Sequence, residues 1–353
     1  MGSRARRSNA PAAAPAGKLH ASPLLAPHAL PSPPSRAIDA PLPIRIRYAA
    51  DAAARDARLL AAFAHDLPAE GALLPLPLPL PAPQAEARIE HWQVAGPITR
   101  GEAHGARIAE DGTLLYAEWS IDEAAHGGLE PAAAWVYRQI AALLAGSGYP
   151  HAIKIWHYLG AINEGAGDDE RYRRFCVGRA SALAPGQPLP AATAIGTQTA
   201  PGRLIVFLLA AKAPGVRIEN PRQVPAYEYP RAYGPVSPSF SRAMLAPWGQ
   251  LFVSGTAAVV GHESKHPENT GAQLRELALN LDALVARAES LGGRRLQPSA
   301  LKVYVRRRED LAEVEALAAR LFPADCPRLT VLADISRADL RVEVEGLYDP
   351  VPA

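Results

Sequence analysis

The sequence predicts an α+β fold made of two tandem units, each a mixed sheet with helices packed on one face. Three observations carry this. Strand-like and helix-like segments alternate in the same order in both halves of the 353-residue chain. The halves superpose without a gap near their ends, Leu204 on Leu340 and Val206 on Val342, a weak repeat of one unit. Hydrophobic residues make up 48% of the chain against 20% charged, enough for a full core.

The elements follow in order. Residues 1–40 read as a disordered Ala/Pro-rich tail. It begins with Arg4, Arg6 and Arg7, and Pro11, Pro15, Pro23, Pro27 and Pro31 interrupt the apolar stretch a secretory signal needs. Residues 41–190 are expected to form the N-terminal unit and 191–353 the C-terminal unit, which carries most of the site. The run LPLPLPLPAP (74–83) is extended, because proline fixes φ and denies its predecessor the α region. It reads as a rigid connector. In the first half LLYAEWSI (114–121), AIKIWHYL (152–159) and LIVFLLAA (204–211) read as strands. PAAAWVYRQIAALLA (131–145) is a helix with proline in its first turn, and 168–183 a helix with acid at its start. In the second half 251–259, 301–305 and 340–347 are strands. Helices cover 273–291, with Leu274, Leu277, Leu281 and Leu284 on one face, and 310–321.

The bulk properties exclude several classes. A formal charge of +2 gives no footprint for nucleic acid or an anionic membrane. No apolar run approaches the ~20 residues of a membrane span. Two cysteines, Cys176 and Cys326, make no disulfide framework and fit a reducing cytoplasm. His262, Glu263 and His266 read as a loop rather than a ligand set, so no metal and no cofactor are expected.

Chemistry enters through the contrast between the copies. Alternation places Arg341, Glu343 and Glu345 on one strand face, which taken alone reads as a solvated face. In the gapless superposition Glu343 meets Phe207. Arg328, 15 residues before Glu343, meets Ala192. One copy therefore keeps an acid and a base where the other is apolar. A carboxyl and a guanidinium in one cleft can hold a small acid and move a proton.

Val253-Ser254-Gly255, Pro327-Arg328 and Val342-Glu343-Val344-Glu345 resemble the RidA (YjgF) fold family. That likeness implies tandem RidA/YjgF-like units, an Arg328 that grips a carboxylate, and a site at a junction of subunits. A closer resemblance spans about residues 90–350. RYRRFCVGRA (171–180), NPRQVPAYEYPRAYGPVSPSFSRA (220–243), SGTAAVVGHESKHP (254–267) and DISRADLRVEVEG (334–346) are similar to the chorismatase family. The resemblance implies cleavage of chorismate to pyruvate and a hydroxybenzoate, with hydrolysis to a dihydroxycyclohexadiene carboxylate as the alternative. A RidA-like enamine deaminase and a non-catalytic scaffold are the competing readings.

Chorismate is a dianion, so two cationic anchors are expected, and Arg171, Arg179, Arg222, Arg242 and Arg328 are available. Tyr172, Tyr227, Tyr233, Gly255 and Ser336 complete the expected substrate-binding set, with Tyr229 in the same Pro/Gly-rich loop. Glu343 is the expected acid that protonates the enolpyruvyl methylene. To do so it must be buried enough to keep its proton. Ser336 stands where members of the 3-hydroxybenzoate type carry cysteine. The resemblance also allows a homo-oligomer.

Overall fold

The computed structural model describes residues 41–50, 58–65, 76–83 and 89–352. The tail 1–40 lies outside the described residues. A small sheet comes first among the described residues. Its strands β1 (Ile44–Ala49), β2 (Leu59–His65), β3 (Leu76–Leu78) and β4 (Ile89–Val94) lie in the order β1-β4-β2-β3. The described part of the proline-rich run is thus more than a connector. It supplies β3, an edge strand where proline costs no ladder bond. Pro81 then accepts the amide of Leu332 from the far end of the chain (2.7 Å).

The first large sheet uses β5 (Thr99–Ala103), β6 (Ala106–Glu110), β7 (Leu114–Asp122), β8 (His151–Gly160), β9 (Ala191–Thr197) and β10 (Arg203–Ala211). Helices α1 (Leu129–Gly146) and α2 (Arg171–Ser181) interleave with them. This sheet runs on past residue 190 through β9 and β10. α2 starts three residues later than its acidic lead-in suggests. Gly165 and Gly167 take φ of 98° and 57°, which turns the chain back before the helix begins.

The second half contributes β11 (Val216–Ile218), β12 (Ala243–Leu245), β13 (Leu251–Ala257), the hairpin β14 (Val259–Val260) and β15 (Glu263–Ser264), and α3 (Thr270–Gly292). It continues with β16 (Leu296–Val305), α4 (Leu311–Leu321), β17 (Arg328–Leu332), β18 (Asp334–Ile335) and β19 (Val342–Pro350). α3 is capped at Asn269, whose side chain accepts the Ala272 amide, and ends at Gly293 in the left-handed region. Its four predicted leucines are all buried against the sheet. Each contributes about 1.5–3 kcal/mol on burial.

The two large sheets share one topology. The order β9-β8-β10-β7-β6-β5 matches β17-β16-β19-β13-β12-β11, with one parallel pair (β8/β9, β16/β17) at the same place in each. Both ladders carry a bulge, Ile153 of β8 opposite Leu209/Ala210 and Ser299 of β16 opposite Leu347/Tyr348. Aligned on these bulges, Phe207 meets Glu345 and Ile205 meets Glu343. The gapless superposition is therefore corrected by two residues, a slip that keeps each side chain on its face. Arg328 still meets Ala192, since each pairs across the parallel ladder at equivalent places (Leu301 and Ile155).

Helices cover one face of each large sheet. The other faces meet the small sheet around a shared aromatic core that includes Phe63, Trp92, Trp156, Phe207, Phe252 and Tyr304. Val342 and Val344 face the helices, so Glu343 and Glu345 point inward. They are 5% and 4% exposed, and the solvated-face reading of this strand is overturned.

Candidate active site

The seam between the halves runs where β9 passes β13. Ser241 donates its amide to Pro190 (3.0 Å), the Ala192 amide donates to Ser254 Oγ (2.9 Å), and Ser254 Oγ donates to the Ser241 carbonyl (2.6 Å). The Gly255 amide donates to Thr193 Oγ1 (2.9 Å). β18 then crosses over to pair antiparallel with β9. Ser254 is fully buried in this seam, so its part is structural.

Beside the seam lies a cleft of about 460 Å³. Asn163, Glu170, Tyr172 and Arg173 line it from the first half. Gln223, Tyr229, Tyr233, Phe240 and Arg242 come from the long 220–243 segment, and Gly255 and Ala257 from β13. Ser336, Arg337, Leu340 and Glu343 close it. Arg306 builds that last wall. Its guanidinium donates to the carbonyls of Leu340 (2.7 Å), Ile335 (2.8 Å) and Arg337 (3.0 Å), to Asp334 (3.0 Å) and to Asn163 Oδ1 (3.1 Å).

The Glu343 carboxyl makes no hydrogen bond among the described residues. Burial, reinforced by the nearby Glu345 charge, pushes its carboxyl up to about 8. Lys154, Arg242 and Arg306 oppose that shift without cancelling it. Arg242 donates to the Val224 carbonyl (3.1 Å) and to Tyr229 Oη (2.5 Å), and lies 5.3 Å from the Phe240 ring centre. Arg337 donates to the His262 carbonyl (2.8 Å) and Ser264 Oγ (3.2 Å), and stacks 4.2 Å from the Tyr233 ring centre. Three buried atoms around the cleft lack a partner among the described residues: Arg242 Nε, Arg337 Nη2 and Gln223 Oε1. Leaving such groups unpaired costs about 1–3 kcal/mol each.

Of the residues expected from sequence, Glu343, Tyr172, Tyr233, Arg242, Gly255 and Ser336 line this cleft. Three do not. Arg179 lies behind the wall, stacks on Tyr137 (5.0 Å) and donates to the Ser239 carbonyl, so it braces the loop. Tyr227 packs under Arg217 (5.1 Å) on the outer side of its segment. Arg328 begins the edge strand β17 opposite Leu301, whereas Glu343 sits beside Tyr304, and the guanidinium bonds the Pro323 carbonyl at the surface. A fixed interval in sequence did not become proximity, because the parallel crossover carries Arg328 to the far end of the sheet. Arg171 and Arg222 are engaged with Glu123 (2.8 Å) and Glu276 (2.5 Å). Arg337 is a guanidinium that does line the cleft. It stands next to Ser336 in the DISR stretch, and that motif was the available signal. His262 accepts or donates at Tyr233 Oη (3.2 Å) rather than forming a ligand cluster with Glu263 and His266.

Comparison with known proteins agrees with this architecture. Residues 90–210 match the family model "Chorismatase FkbO/Hyg5-like, N-terminal". A 3-hydroxybenzoate synthase from Streptomyces hygroscopicus is 36% identical over 282 residues, 74% of this chain and 82% of its own. A chorismatase from Streptomyces rapamycinicus is 38% identical over 280 residues with the same coverage. A chorismatase crystal structure superposes with a TM-score of 0.76 at 31% identity, covering 87% of this chain and 98% of that one. With a shared topology in both halves, an inward acid at their seam and relatives matched over most of their length, this chain belongs to the chorismatase family.

Proposed function

We propose that the protein cleaves chorismate to pyruvate and a hydroxybenzoate, with Glu343 as the acid. One observation carries this reading: a buried carboxyl, raised by burial to about 8, shares a cleft with two guanidinium groups that each have a buried nitrogen without a partner among the described residues. A dianion supplies what those nitrogens lack, one carboxylate for Arg242 and one for Arg337. Gln223 Oε1 can accept from a ring hydroxyl. The rings of Tyr229, Tyr233 and Phe240 give the six-membered ring an apolar wall.

The enol ether is the reactive bond. Glu343 gives its proton to the methylene carbon, which becomes a methyl group, and the ether carbon becomes an oxocarbenium ion. Water adds there, and the hemiketal breaks to pyruvate as the ring keeps its oxygen. Loss of one water then aromatises the ring, so the hydroxybenzoate branch uses no net water. The hydrolytic branch would stop before that loss. A relative named 3-hydroxybenzoate synthase supports the aromatic product. A deaminase reading needs Arg328 and Glu343 in one site, and within this chain the two stand apart.

Both cysteines are buried free thiols, which supports a reducing, cytoplasmic setting. No described helix is long and apolar enough to cross a membrane.

The test is incubation of the purified protein with chorismate, following pyruvate by a coupled assay and ring products by chromatography. We expect equimolar pyruvate and hydroxybenzoate. Arg337→Lys, which keeps the charge but loses the fork and the ring stacking, should raise KM about tenfold or more. No pyruvate from the wild type would sink the reading. An unchanged KM in the variant would remove Arg337 as an anchor.

A further inference from the structure

Glu345 lies two residues beyond Glu343 on the same strand face, deeper between the sheets. Its Oε2 accepts from Lys154 Nζ (2.5 Å), Trp156 Nε1 (2.7 Å) and Thr193 Oγ1 (2.7 Å), and its Oε1 accepts from Tyr304 Oη (2.6 Å). Lys302 Nζ stands 3.6 Å away and is itself paired with Glu90 (2.5 Å). Burial works against this carboxylate, but Lys154 and Lys302 hold it below the usual range, so it stays charged. The donors come from both large sheets, which gives this one side chain a hold on each.

Two of those donors lead to the cleft wall. Thr193 Oγ1 donates to Glu345 and accepts the Gly255 amide (2.9 Å). Lys154 Nζ also donates to the Val253 carbonyl (2.7 Å) on the same strand, β13. Gly255 in turn presses on Glu343, since a Cβ added there would overlap the carboxyl oxygen. The Glu343 carboxyl is faced by Glu345 on its own strand, Lys154 on β8, Arg242 before β12, Arg306 after β16, and Tyr172 on α2.

We propose that Glu345 is a positioning residue of this site: through Thr193 and Lys154 it holds β13 against the Glu343 carboxyl, and its fixed negative charge stands behind that carboxyl on the same strand face. The inference rests on the reading of Glu343 as the acid. A like charge nearby favours the protonated form, and the clamp limits the positions from which the proton can be delivered.

The experiment compares wild type, Glu345→Gln, Thr193→Val and Thr193→Ser in chorismate cleavage across the neutral to alkaline range, with melting curves for each. Removing the charge takes away the like charge behind Glu343 and leaves Lys154 without its carboxylate partner, while Lys302 keeps Glu90, so Glu343 should lose its proton more readily. The alkaline limb of kcat/KM in Glu345→Gln should move down by about one pH unit or more. Thr193→Val changes no charge. It should lower kcat about 10- to 100-fold with the limb in place, and Thr193→Ser should restore kcat to within about threefold.

An unmoved limb in Glu345→Gln, with activity reduced evenly across pH, would overturn the electrostatic part. Wild-type kcat in Thr193→Val would overturn the clamp. Should Glu345→Gln fail to fold, the Thr193 pair decides: a loss in both variants overturns the proposal and rescue by serine supports it. Absence of wild-type turnover, or full activity in Glu343→Gln, would remove the acid reading itself. Turnover that depends on Glu343, with an unmoved Glu345→Gln limb and wild-type kcat in Thr193→Val, would remove only this inference.

Discussion

Glu343→Gln should lose about 10³-fold or more in kcat while KM for chorismate stays within about threefold. General acid catalysis contributes about 10²–10⁴-fold, and the substituted amide cannot protonate carbon. Binding is kept because the free enzyme already holds Glu343 neutral. The carboxyl sits at about 8, so at neutral pH the glutamine replaces an uncharged group of the same shape. With Glu343 as the proposed acid the active form is the protonated one, so wild-type kcat/KM should fall above about pH 8, and whatever activity remains in the variant should lack that limb. Stability gives an independent check. Because the folded state holds this proton more tightly than the unfolded chain, wild-type stability declines relative to the variant from about pH 4.5 up to about 8. The Tm advantage of Glu343→Gln should grow across that window and level off above it. A Tm difference independent of pH would contradict the burial of a neutral carboxyl.

Gly255→Ala should be nearly as severe, from one methyl group. The new Cβ overlaps the Glu343 carboxyl and lies 3.3 Å from Thr193 Cγ2, so the acid must swing away or β13 must shift. Misplacing a reacting group by about 1 Å can cost ~10²-fold, and overpacking of this kind costs about 1–3 kcal/mol of stability. Steady-state kinetics and thermal melts on one preparation separate the two. A near-wild-type kcat would show that the carboxyl does not act from the position the structure gives it.

The elements easiest to read were those where burial follows a simple period. The leucine stripe of α3 and the apolar run of β10 needed only spacing and length. The strands before residue 110 were not legible. In β4 the segment IEHWQV buries Glu90 and His91 among apolar neighbours, because Lys302 arrives from the other end of the chain to pair with Glu90. No local pattern announces a charge whose partner lies on β16. The same limit governed the site. Glu343 was visible because the copies differ there, although the bulges shift its true counterpart from Phe207 to Ile205. Arg328 was misplaced because its distance from Glu343 depends on a parallel crossover, which sequence interval does not measure. Arg242 and Ser336 were found in motifs. Arg337 lies in the same DISR stretch as Ser336, but the motif alone does not place its guanidinium against Tyr233 rather than in solvent.

In the proposed mechanism a proton from solvent, held on Glu343, is delivered to the methylene carbon of the enol ether. Turnover of chorismate in D₂O tests it most directly, with pyruvate reduced as it forms to lactate and its methyl group analysed by mass spectrometry. One deuterium in that methyl, at the rate of ring-product formation and lost along with turnover in Glu343→Gln, is the predicted result. A methyl group free of deuterium would contradict it, because the proton would then have come from the substrate and not from the enzyme's acid.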